Sequence, residues 1–220
     1  EAGFQHAFGA AFKIDENWQF LLDYSAYTQM DFGIGFNAIG DFGTYDLGVA
    51  VGAHVPARNL KELVEWLMSH PDQAAYGTPA AGSLPHFFAV LFARHAGVEL
   101  RHVAYKGNPQ AISDLIGGHL PMFFTSTQDL VEAHKAGRVR VLGTSGRARS
   151  PALPDVPTFT ESGYGIRGEG WYGVYAPART PVEVVAKLNQ AVVEAVRAPE
   201  FGKRLTPLGV QPTGTSEQEF

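Results

Sequence analysis

Tyr76-Gly77-Thr78-Pro79-Ala80-Ala81-Gly82-Ser83-Leu84-Pro85-His86 reads as the end of a short strand, a loop of small residues and the first turn of a helix. Ala74 to Thr78 supplies the strand, and the apolar run from Phe87 to His95 supplies the helix. The construction recurs twice downstream. Leu100 to Tyr105 is a strand ending in Tyr105-Lys106-Gly107, and Asn108-Pro109 opens a helix that stops at Gly117-Gly118. Leu120 to Phe124 is a strand ending in Thr125-Ser126-Thr127, hydroxyls that open a helix running to about Gly137. Strands alternating with helices mean right-handed crossovers and a mostly parallel sheet covered on both faces, which is the α/β class. The carboxyl ends of parallel strands lie together, so the three junctions share one edge, where α/β proteins form their ligand crevice.

Working outward, Leu47 to Val55 is an apolar strand followed by Asn59 as N-cap and Glu62 at the capping-box position, with Leu60, Leu63, Val64 and Leu67 on one helix face. Val139 to Thr144 is a strand, Ser150 to Pro157 a proline-rich loop and Trp171 to Ala176 a strand. Thr180-Pro181 opens a helix with Val185, Leu188, Val192 and Val196 on one face and Pro199 beyond its end. The beginning differs in composition, because residues 1 to 45 are rich in aromatics while the first proline is Pro56. Phe4, Phe8 and Phe12 recur at helical spacing, Trp18, Phe20, Tyr24 and Tyr27 continue the aromatic series as core residues, and glycine-rich Asp31 to Asp46 reads as loop and turn. The closing Gly214 to Phe220 reads as a helix cap and first turn without a helix body, so the chain is expected to stop early.

Composition narrows the function classes. The 220 residues carry 45% apolar and 18% charged side chains, a globular balance, and no apolar run reaches the length of a membrane helix. A net charge of −5 lacks the basic stripe that a nucleic-acid partner would require. There is no cysteine, hence no disulfide, thiolate metal site or cysteine nucleophile, and the eight histidines show no paired metal-binding spacing. No metal or other cofactor is expected. A serine nucleophile has no G-x-S-x-G elbow, and Ser83 with His86 is the nearest pair, without an identifiable third member.

The 76–86 junction instead suits an anion. The first amides of a helix lack intrahelical partners and its dipole adds positive charge, while Gly77, Ala80, Ala81 and Gly82 would let a ligand approach the backbone. Thr78 and Ser83 could add hydroxyl donors, and Lys106 could hold a carboxylate. The same residues also read as a plain turn in which Ser83 caps the helix.

At these positions the chain resembles the Bug-type periplasmic solute-binding proteins of tripartite tricarboxylate transporters. The resemblance runs from about Asp41 to Phe220 and is carried by V-P-A-R-N-L-K-E-L (55–63), Y-G-T-P-A-A-G-S-L-P-H-F (76–87), V-A-Y-K-G (103–107), S-P-A-L-P-D-V-P-T (150–158) and W-Y-G-V-Y-A-P (171–177). It implies a periplasmic-binding-protein type II (Venus flytrap) fold of two α/β domains joined by two crossover strands. On that pattern residues 47–55 and 171–177 are the crossovers, 56–170 one domain, and 1–46 with 178–220 the other, an incomplete one. The implied function is capture of a small carboxylate, whether a dicarboxylate, an amino acid or an aromatic acid, for membrane permease subunits, by a periplasmic monomer without catalysis. Alternatives are a sensor that reports to a membrane histidine kinase, and a Ser83/His86 hydrolase. By motif, the implied ligand contacts are Gly77, Thr78, Gly82, Ser83, His86, Tyr105, Lys106 and Thr125. Three departures bear on this. Phe124-Thr125-Ser126 stands where the family commonly has an aspartate, which favours a purely anionic ligand over an amino acid. Pro79 and Pro85 each remove an amide donor. The family's opening strand and A-G-G loop have no counterpart in residues 1 to 40, and no signal peptide opens the chain.

Overall fold

The computed structural model describes residues 10–14, 18–22, 36–177 and 179–215. The chain divides into two compact units, Tyr45–Glu169 and the pair of segments Glu1–Thr44 and Gly170–Phe220.

The unit Tyr45–Glu169 is built on a sheet of order β5-β4-β6-β3-β7. Its strands are β3 (Phe36–Gly52), β4 (Ala75–Thr78), β5 (Arg101–Ala104), β6 (Met122–Ser126) and β7 (Val139–Thr144). Every residue of β6 is buried, as expected of a central strand covered on both faces. Helix α1 (Leu60–Ser69) follows β3 and starts where the capping pattern places it: Asn59 Oδ1 accepts from the Glu62 amide at 2.9 Å, and Glu62 Oε2 accepts from the Arg58 amide at 2.7 Å. Leu60, Leu63 and Leu67 are its buried residues. Helix α2 (Leu84–Ala96) buries Phe88 and Phe92 and ends on Gly97 at φ +66°, the left-handed closure glycine permits. Phe159, from the segment after β7, meets both rings edge-on, at 5.0 Å from Phe88 and 5.4 Å from Phe92. Helices α3 (Asn108–Ile116) and α4 (Thr127–Lys135) cover the sheet through Ala111 and Leu115 and through Leu130 and Val131.

The strand directions add one feature to the expectation. β5, β4, β6 and β7 all point the same way and β3 runs antiparallel to β6 and β7, so the sheet is mostly parallel with one reversed strand. The crossover rule governs parallel strands joined through a helix. β3 leads through α1 to β4 but runs antiparallel to β6 and β7, so the rule does not set its direction.

The other unit is described by itself. β1 (Ala10–Ile14) and β2 (Trp18–Leu22) form an antiparallel pair in which Phe12 faces Phe20 in register, so Phe12 lies on a strand and not on the expected helix. Phe4, Phe8, Tyr24 and Tyr27 fall outside the described residues, as do Asp31 to Gly35 and Ser216 to Phe220. Phe36 to Asp46, expected as loop and turn, belongs to β3, which pairs with β8 (Glu169–Pro177) and β9 (Val210–Gln211). Tertiary contacts override the glycines there. Ile39 is fully buried with Ala176 and Val185, and Asp41 Oδ1 accepts from the Thr215 amide at 2.9 Å and from its hydroxyl at 2.6 Å. Phe42 stacks on Tyr172 at 5.3 Å and meets the edge of Phe201 at 6.4 Å. Helix α5 (Val182–Arg197) buries Val185 and Val196, while Leu188 is 43% exposed. At 100° per residue Leu188 sits 60° round the helix from Val185, on the flank of the buried stripe. Helix α6 (Pro199–Leu205) follows directly. No helix among the described residues is long and apolar enough to cross a membrane.

Candidate functional site

β4, β5 and β6 are parallel neighbours, so their carboxyl ends lie along one edge and the three strand-to-helix junctions stand side by side. Hydrogen bonds join the junctions into one seam. The Tyr105 amide donates to Thr78 O at 3.0 Å and the Gly107 amide to Pro79 O at 2.9 Å, tying the second junction to the first. Thr125 Oγ1 donates to Asn108 Oδ1 at 2.9 Å, tying the third to the second.

Within the first junction, Gly77 is buried in β4, and a Cβ there would stand 2.7 Å from Leu120 Cδ2 and 3.0 Å from Tyr105 Cε2. Its small size therefore serves the packing beneath the loop. Gly82 is exposed at φ +74° with open space around its Cα, a position set by conformation rather than by crowding. Thr78 is fully buried, and its hydroxyl donates to Ala80 O at 3.0 Å while lying 2.6 Å from His102 Nε2. Ser83 occupies the N-cap position of α2, but its side chain makes no capping bond. Its hydroxyl donates to Ala80 O at 2.7 Å instead, so the plain-cap reading of Ser83 does not hold. The Gly82 amide is taken by His86 Nδ1 at 2.9 Å, which makes the histidine ring part of the turn. Both hydroxyls and this amide are thus satisfied internally, and an anion that recruits one must displace the bond it now makes.

The other expected residues divide between inward and outward roles. Tyr105 Oη donates to Asp114 Oδ2 at 2.9 Å; burial, then that bond and the nearby charge, push its phenol up to about 12. Thr125 is 1% exposed and faces Asn108. Lys106 is exposed beside Gly107, whose φ of +109° turns the chain into α3. The third junction closes with Ser126 Oγ donating to Asp129 Oδ2.

Sequence reading did not single out His102. It pairs with Tyr76 across β4 and β5, and its ring lies 4.0 Å from that of His86, the two planes 11° apart. Burial lowers the pKa of His86; burial and then His86 lower that of His102. The available signal was the parallel pairing of the two strands, which sets His102 beside Tyr76 on one face. Ser83 and His86 do not form the pair a hydrolase needs, because the serine hydroxyl is bonded to Ala80 O and His86 Nδ1 to the Gly82 amide.

Comparison with known proteins places this architecture. The family profile described as the tripartite tricarboxylate transporter family receptor matches residues 20–220. The UPF0065 protein in the gbd 5' region of Cupriavidus necator is 29% identical over 201 residues, covering 91% of this chain and 61% of the relative. Periplasmic binding protein BugD is 28% identical with a TM-score of 0.76, over 83% of this chain and 61% of that one. An R. palustris protein solved with adipate is 28% identical with a TM-score of 0.80, over 84% of this chain and 62% of that one. The chain spans about half to three-fifths of the length of the first three curated relatives it matches.

Proposed function

The chain belongs to the tripartite tricarboxylate transporter receptor family, and from that premise we propose that it captures a small carboxylate and hands it to membrane permease subunits. The family is one of receptors, not of enzymes, and the fold is the mixed α/β fold of its solved members. The observation that carries the reading is the seam of three strand ends opening α2, α3 and α4 along one edge, with Lys106 exposed at the junction after β5. Three helix N-termini and one ammonium concentrate positive potential locally, so a protein with a net charge of −5 can still attract an anion there. Gly77, Thr78, Gly82, Ser83, His86, Tyr105, Lys106 and Thr125 form or support this edge. Exposed Lys106, Gly82 and the adjoining turn would meet the ligand, while buried Thr78 and Thr125 hold the frame.

The ligand class we assign is a dicarboxylate, supported by the R. palustris relative solved with adipate. Action outside the cytoplasmic membrane follows from the permease role and is supported by the periplasmic relative BugD. Isothermal titration of the full-length protein with adipate, malate, glutamate and nicotinate tests this. Saturable binding of a dicarboxylate, weaker or absent for nicotinate, supports the assignment. Failure of all four acids overturns it.

A further inference from the structure

The turn after β4 is held by imidazole chemistry that carboxylate capture does not by itself require. His86 Nδ1 accepts the Gly82 amide at 2.9 Å, and a ring nitrogen accepts only while it is unprotonated. His86 is therefore neutral here, with its proton on Nε2. With the one proton of the Thr78 hydroxyl on Ala80 O at 3.0 Å, the 2.6 Å contact with His102 Nε2 becomes a bond the ring donates. Ala80 O also receives the Ser83 hydroxyl at 2.7 Å. The turn from Thr78 to His86 thus hangs from two rings, one anchoring its start through Thr78 and the other its end through Gly82. Those rings lie face to face, with centroids 4.0 Å apart.

We infer that His102 is a positioning residue of this turn: by bonding Thr78 and stacking on His86 it keeps His86 Nδ1 free to hold the Gly82 amide, which makes the turn an acid-sensitive catch. The inference rests on the reading of this edge as the ligand site, because only there does the placement of the Gly82 amide bear on binding.

Protonating His86 converts Nδ1 from acceptor to donor, so the Gly82 bond cannot survive it. Two cationic rings in this stack would repel, so His86 and His102 resist double protonation. Among the described residues, Tyr76 of β4 also titrates against the rings, at 6.3 Å from His86 and 5.0 Å from His102. Burial raises its phenol, which stays neutral through the acid range. Phe87 of α2 stacks on His86 at 5.7 Å and carries no charge. Burial lowers the pKa of both histidines, so the catch holds at neutral pH and opens below the ordinary imidazole range.

Nitrogen NMR of the histidine rings in the full chain, followed with pH beside the Gly82 amide, tests this without any ligand. The expected result is unprotonated Nδ1 on His86 at pH 7.5, protonated Nε2 on His102, and a Gly82 transition that follows His86 with a midpoint below 6.5. His102→Ala moves that midpoint upward. A His86 tautomer with Nδ1 protonated, a Gly82 amide indifferent to His86, or an unshifted midpoint in His102→Ala overturns the inference. Adipate affinity at pH 7.5 separates the two readings. If wild-type protein binds adipate, His102→Ala should weaken it about tenfold, and His102→Gln, which can still donate to Thr78, should restore affinity but not the midpoint. If wild-type protein binds no acid, the proposed function fails, while the ring titration alone decides the catch.

Discussion

A Cβ on Gly77 would lie 2.7 Å from Cδ2 of Leu120, which is 2% exposed, with Tyr105 Cε2 and Phe123 Cδ2 at 3.0 and 3.1 Å. Gly77→Ala therefore overpacks the sheet beneath the candidate site. A loss of about 1–3 kcal/mol is expected in urea unfolding. Gly82→Ala is the control: its Cβ meets open space, so its cost, about 1–2 kcal/mol, comes from φ +74° alone. Equal and negligible effects at both positions would contradict this assignment.

Asp46 is buried at the start of the segment of β3 that enters the larger unit, and burial, then the charge of Glu169, raises its carboxyl to about 7. The folded state then binds a proton more tightly than the unfolded chain, whose carboxyl titrates near 3.8. Stability should fall as pH rises from about 4 to 7 and level off above. Asp46→Asn removes that slope and should raise stability at pH 8 by roughly 1–3 kcal/mol. Thermal melts of both proteins from pH 4 to 8 provide the check, and parallel curves would rule out the buried carboxyl as the cause.

The Tyr105 phenol, buried and bonded to Asp114, should ionise well above an ordinary tyrosine. In an ultraviolet pH titration, Tyr105→Phe is expected to abolish the phenol ionising near 12. It should also cost about 1 kcal/mol, because Asp114 Oδ2 loses its 2.9 Å donor. An unchanged phenolate titration would place the high value elsewhere.

Lys106→Gln tests the ammonium at the edge. The residue is exposed, so the melting temperature should hold within about a degree. Adipate affinity, where wild-type protein shows it, should fall about tenfold and lose part of its salt dependence. Unaltered affinity would remove Lys106 from the site.

The strand-loop-helix junctions were legible because their determinants are local. Asn59 and Glu62 cap α1 as their spacing implies, and Gly97 and Gly107 turn the chain where glycine permits a positive φ. The direction and extent of β3 were not legible, since a strand followed by a capped helix reads the same whichever way it runs in the sheet, and its glycines read as turns. The side-chain partners within the site were equally hidden. Ser83 sits at a cap position, yet bonds Ala80 O; Thr125 opens toward a helix, yet bonds Asn108.

By itself the sequence determined an α/β chain with three strand ends at one edge, and with them the small residues, hydroxyls and lysine gathered there, because helix caps and hydrophobic periods act over a few residues. The tertiary structure decided which of those groups face one another. His102 reaches Thr78 across 24 positions of sequence only because β4 and β5 pair in parallel with Tyr76 opposite His102, and Gly77 is crowded only because Leu120, Tyr105 and Phe123 pack against it. Register and packing are properties of the assembled sheet, set by the total burial of its faces rather than by any single junction.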